Sequence, residues 1–150
     1  MAPANPANLW LDELENEGGP QMQHRAEPMG AHLALLAALY DDGVRAVAAR
    51  GGLAGYLSVL ENAFAYVPFE DILLGVLRAG DIADLAAALA PRPLALLGLV
   101  DGRNIPLGPG ALERTMEPVR AAYRSAGVPE RFAITMEPRE LAAWFEARLK

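Results

Sequence analysis

Acyl transfer needs a nucleophile, a base and an acid in one place, and few residues here could fill those roles. The chain has two serines, Ser58 and Ser125, two histidines, His24 and His32, and no cysteine. The lack of cysteine excludes disulfides, thiolate metal sites and cysteine nucleophiles together. Ser58 falls inside a helical pattern and Ser125 near the end of another. Neither has the glycine-flanked turn that exposes a nucleophile. Asp101 closes the apolar run Leu94–Val100, and open α/β sheets gather functional groups at the carboxyl ends of strands. Because Gly102 follows it, Asp101 reads equally as a turn residue. Arg103 and Asn104 come next, so a polar cluster of Asp101, Arg103 and Asn104 near His32 is an unconventional alternative. Asp81 and Asp84 supply two more carboxylates, the raw material of a glycosidase pair. Their spacing is better explained as a capping box, with Asp81 as N-cap and Asp84 three residues on. His24 and His32 lie eight positions apart without clear partner ligands, which makes no metal site. No phosphate-binding glycine pattern follows a strand, so no cofactor or metal is expected.

The elements that position these residues alternate. Residues 1–20 read as a flexible lead-in, broken by Gly18-Gly19-Pro20, and residues 21–150 as one domain. Ala31 to Leu39 is apolar nearly all round, the pattern of a helix buried on most sides. Val44–Ala49 reads as a buried parallel strand. Leu53, Tyr56, Leu57 and Leu60 recur with helical spacing, and residues 62–79 read as a loop and a short apolar helix. Ile82, Leu85, Ala86 and Leu89 form a helix face, stopped by Pro91 and Pro93. Leu94–Val100 is the clearest strand. Leu112, Met116, Val119 and Tyr123 define one helix face, with Pro118 either kinking it or opening a new first turn and Gly127 closing it. Phe132–Met136 reads as the last strand. Pro138 opens a final helix with the face Leu141, Trp144, Phe145 and Leu149. Strands alternating with helices predict an α/β fold: a parallel sheet of three or four strands flanked by helices on both faces.

Composition narrows the function. With 53% hydrophobic and 21% charged residues among 150, the chain is globular and long enough for a real core. The net charge of −6 and the scattered arginines, Arg45, Arg50, Arg78, Arg92 and Arg103, give no basic face for nucleic acid. Met1 to Asn8 has neither a basic start nor an apolar stretch, so no signal peptide is expected. The run Leu94–Val100 is too short to cross a bilayer. A cytoplasmic location is the expectation.

Four segments carry a family resemblance. They are Gly30 to Ala38, Val44 to Gly52, Gly80 through Ala90-Pro91-Arg92-Pro93-Leu94, and Leu97 to Asn104. In this order they resemble the carboxyl-terminal half of α/β-hydrolases of the dienelactone-hydrolase and acetyl-xylan-esterase-like kind, from Gly30 to about Arg124. The first looks like the helix after a nucleophile elbow. The third looks like the helix and "APRP" turn that feed the strand bearing the catalytic acid. The resemblance implies ester hydrolysis through a serine acyl-enzyme, with a G-x-S-x-G elbow, an acid and a histidine in that order. The elbow window is Ala26-Glu27-Pro28-Met29-Gly30, so Pro28 occupies the nucleophile position. Proline has no hydroxyl, and its ring fixes φ where a strained elbow would not accept it. Asp101 occupies the acid position. The loop after the last strand, Met136-Glu137-Pro138-Arg139, has no histidine.

The scaffold is therefore expected without its catalysis: a truncated or degenerate esterase-like domain, short of the upstream half of the family's sheet. The alternative is an interaction module. A cut sheet leaves an edge at Val44–Ala49, and edges recruit other chains. A homo-oligomer or a separate amino-terminal half is the partner expected. A second alternative is an active carboxylic-ester hydrolase with the unconventional Asp101 cluster. By resemblance alone, a small ester or acylated sugar is the implied ligand.

Overall fold

Leu94–Leu97 is buried at all four positions, the pattern of a strand covered by helices on both sides. It is β2 in the computed structural model of the chain, which describes residues 28–61, 63–134 and 136–149. The lead-in and His24 lie outside the described residues. Two further strands, β1 (Val47–Arg50) and β3 (Phe132–Ala133), flank β2 in the order β1-β2-β3. Both pairings are parallel, with Val47 opposite Leu94 and Leu94 opposite Phe132. The α/β class and the parallel sheet are as the sequence predicts, with three strands. The helices are α1 (Pro28–Tyr40), α2 (Leu57–Leu60), α3 (Ile82–Ala87), α4 (Pro109–Thr115), α5 (Glu117–Ser125) and α6 (Leu141–Glu146).

The period-2 alternation of β2 divides its side chains between two layers. Leu94 and Leu96 enter the main core with Leu35 of α1, Ile82 and Ala86 of α3, and Val119 and Tyr123 of α5. Ala95 and Leu97 meet Trp144 of α6 on the other face.

Arg92, in the turn before β2, ties the first layer together. Its guanidinium donates to the carbonyls of Ala38 and Asp41. Cations at that end of a helix are favoured by both unpaired carbonyls and the helix dipole. The backbone carbonyl of Arg92 accepts the Tyr123 hydroxyl at 2.5 Å. The "APRP" turn thus joins α1, β2 and α5.

Several elements depart from expectation. The helix read as buried nearly all round, α1, buries Ala31, His32, Leu35 and Ala38 but leaves Leu33 58% and Tyr40 85% exposed. No described element covers that side. The amphipathic helix expected from Leu53 to Leu60 shrinks to the single turn α2, in which no residue is fully buried. Leu53 instead pairs in parallel with Val100, extending the sheet past β1 and β2, and this pairing buries it. The segment 62–79 carries two short 3₁₀ turns, Phe69–Asp71 and Val76–Arg78, in place of a helix. Gly98 (φ 59°) ends β2 before the expected limit at Val100. The strand expected over Phe132–Met136 is only two residues long.

Pro118 does open a new first turn. Met116 separates α4 from α5, yet Leu112, Met116, Val119 and Tyr123 are all buried. Beyond α5, Gly127 at φ 74° forms a Schellman cap, with the Val128 N–H donating to the Tyr123 carbonyl at 3.0 Å. Pro138 begins a 3₁₀ turn that leads into α6.

Candidate functional site

His32 lies on the buried face of α1, one residue after Ala31 and three before Leu35, so the helical period carries its imidazole inward. There Nδ1 lies 2.8 Å from Oδ1 of Asp71, which comes from the first 3₁₀ turn. Both residues are buried, His32 at 8% exposure and Asp71 at 3%. Pro68 starts the turn, and the Asp71 N–H donates to its carbonyl at 3.1 Å. The Tyr56 hydroxyl donates to the backbone carbonyl of Asp71 at 2.8 Å, and the Tyr56 ring lies 5.6 Å from that of His32. Burial, then the negative charges of Asp71 and Asp81, push the Tyr56 phenol up to about 12.

Asp81 holds this arrangement from the other side. It caps α3 in the predicted capping box: its carboxylate accepts the Ile82 N–H at 2.7 Å, while Asp84 accepts the Asp81 N–H at 2.8 Å. The same Asp81 carboxylate accepts the N–H groups of Tyr56 at 2.7 Å and Leu57 at 3.2 Å. One residue thereby fixes the start of a helix and the loop carrying Tyr56.

His32 and Tyr56 line a cleft of about 530 Å³ between α1, α3 and the 3₁₀ turns, with Leu36, Leu73, Val76 and Leu85 as apolar walls. Neither Nε2 of His32 nor Oδ2 of Asp71 has a protein hydrogen-bond partner. Only one of the two ring nitrogens of His32 is satisfied. In the tautomer with its proton on Nδ1, the ring donates to Asp71 and leaves Nε2 as an open acceptor. A carboxylate-backed imidazole is the base half of a triad. The hydroxyl half is not supplied by either serine. Ser58 Oγ donates to the Gly55 carbonyl at 2.7 Å, and Ser125 is the exposed last residue of α5. Pro28, at the expected nucleophile position, is the first residue of α1.

Asp101 follows β2 by a few residues, in the loop that also holds Arg103 and Asn104. Its Oδ1 accepts the N–H groups of Arg103 at 2.9 Å and Ile105 at 3.0 Å, and its Oδ2 faces the Arg103 guanidinium at 3.4 Å. This is the geometry of an Asx turn, completed by the buried Asn104 at φ 62°. Asp101, Arg103 and Asn104 thus share one loop, while the carboxylate that His32 engages is Asp71. Neither Asp71 nor Tyr56, the latter expected only as part of a helix face, stood out as a site residue in the sequence. The available signal was the acid pair Glu70-Asp71 directly before the apolar run Ile72-Leu73-Leu74.

Among the described residues no three His, Asp or Glu side chains gather as a metal site, and no helix is long and apolar enough to cross a membrane. Compared with protein-family models, curated proteins and solved structures, the chain has no match.

Proposed function

We propose that this chain is an α/β-hydrolase-like domain that keeps the scaffold of the esterase families and has lost acyl-enzyme chemistry. The observation that carries this reading is Pro28 at the head of α1, where the resemblance calls for serine. The helix–strand–helix order around a parallel sheet and the Arg92 turn before β2 support the scaffold half. On this reading the cleft beside His32 binds a small ester or acylated sugar without forming a covalent intermediate. The test is hydrolysis of a short-chain p-nitrophenyl ester against a heat-denatured control. The expected result is no rate above the control. A rate abolished by a serine-reactive fluorophosphonate would sink the proposal and leave Ser58 and Ser125 to be examined.

A second reading, an interaction module, draws on β1. It is an edge of the described sheet, and Ala48 and Arg50 are exposed. The Val47 and Gly51 N–H groups donate to the carbonyls of Pro93, just before β2, and Leu97, so by alternation those of Ala48 and Arg50 face outward. Such an edge pairs with a second copy or with a separate amino-terminal half. Light scattering distinguishes the two readings: a dimer that Ala48→Pro converts to monomer supports pairing through β1, and a monomer at working concentration removes it.

A further inference from the structure

Arginines that are scattered in the sequence converge in space. Arg45 lies two residues before β1, Arg92 two before β2 and Arg131 one before β3. Because all three strands run parallel, their amino ends share one edge of the sheet. There the three arginines line a single cleft of about 550 Å³, joined by Arg148 from beyond α6, with Asp42 as the one acidic residue among the described residues of its lining. Asp42 is paired with Arg92 at 3.3 Å. Arg148 is held in place, its guanidinium 4.6 Å from the centre of the Trp144 ring and its Nε donating to the Glu130 carbonyl at 2.7 Å. Arg131 donates to the Pro91 carbonyl at 3.3 Å. Arg45 is exposed and has no hydrogen bond or ion pair with any described residue. Each guanidinium carries five N–H donors, so most of the donors in the cleft are uncommitted. Three of these cations are anchored, and the fourth is free to swing.

We propose that this cleft binds a small polyanion with two or more adjacent phosphate groups, grasped by Arg45, Arg131 and Arg148 over the fixed Arg92. Arginine forks match phosphate oxygens in pairs. The rest of the molecule favours a compact ligand over nucleic acid. The chain carries a net charge of −6, so a polyanion that extends far beyond the cleft meets a net repelling field. The site is at the opposite end of the strands from the Asp101 loop, and it does not depend on whether the chain hydrolyses esters.

Isothermal titration of the full chain with inorganic tripolyphosphate tests the proposal, with orthophosphate, ATP and a single-stranded oligonucleotide as further arms. Tripolyphosphate is expected to bind at least tenfold more tightly than orthophosphate and to weaken as salt rises. ATP binding equal to tripolyphosphate assigns the site to phosphates alone, and tighter binding assigns it to a nucleotide. Arg45→Ala, at an exposed and unbonded position, is expected to weaken tripolyphosphate at least tenfold. Arg50→Ala, outside the cleft, should leave it unchanged. Absence of tripolyphosphate binding, equal loss in both variants, or tighter binding of the oligonucleotide would overturn the proposal.

Discussion

The Asp81 carboxylate accepts the backbone N–H of Tyr56 at 2.7 Å while capping its own helix. Removing it loses the cap of α3, worth about 1 kcal/mol, and strips acceptors from loop N–H groups at about 1–3 kcal/mol for a buried one. Asp81→Ala should therefore destabilise the fold by about 2–4 kcal/mol in urea titration. Asp81→Asn, which keeps an acceptor oxygen, should lose less than half of that. Equal losses in the two variants would mean that the carboxylate's charge, not its geometry, is what matters.

The buried pair His32–Asp71 makes a sharper prediction. Asp71 is the acceptor for the His32 ring, and removing it leaves a buried Nδ1–H without a partner, at about 1–3 kcal/mol. Asp71→Ala should fall in that range. The double variant His32→Leu/Asp71→Leu should recover much of the loss, because apolar residues can replace a buried pair without an orphaned charge. Additive losses across the double-mutant cycle would show that the two side chains do not act as a unit.

Gly52 permits a close approach between the loop after β1 and helix α1. A Cβ there would lie 2.7 Å from the Ala31 Cβ. Gly52→Ala should cost about 1–3 kcal/mol by overpacking. Ala31→Gly in that background should return part of it, although glycine in a helix costs about 1 kcal/mol by itself. If Ala31→Gly worsens the Gly52→Ala variant, the clash lies elsewhere.

Two buried phenols set the alkaline limit. Burial, with help from Asp71 and Asp81, raises Tyr56 from 10.0 to about 12. Tyr123 is raised by burial as well, partly offset by the positive charge of Arg92. The native state therefore keeps these protons more tightly than the unfolded chain does. The stability they contribute is complete below about pH 10 and drains away as pH climbs from there through about 12. Unfolding free energies measured from pH 9 upward should fall with pH, and Tyr56→Phe and Tyr123→Phe should each make the fall shallower. An unchanged slope in both variants would assign the alkaline loss to other groups.

What the sequence disclosed follows the range of each interaction. The Asp81–Asp84 box and the Gly127 cap are local, and local spacing revealed them; at Pro118 it marked a break but left a kink and a new first turn both open. The split of β2 between two layers was implicit in its continuous apolar run. Leu53 misled because helical spacing over Leu53–Leu60 was met by chance, and a parallel bridge to Val100 decided its place instead. The exposed side of α1 was invisible because composition cannot say whether a neighbour exists to cover it. His32 and Asp71 are 39 positions apart, and no periodicity links a helix to a distant 3₁₀ turn. The arginine cleft was hidden for the same reason: its members are neighbours only once three strands point the same way.

The sheet order β1-β2-β3 repeats the order of synthesis. Among the described strands, each new one joins the free edge left by the one before it. Assembly can proceed from one side to the other as the chain leaves the ribosome. Among the described strands, β1 has no partner until Leu97 has been made, because a parallel pair cannot close through a hairpin. Parallel pairings of this kind are slow to close. Until then β1 is a short open edge, alternately exposed and ending in the charged Arg50.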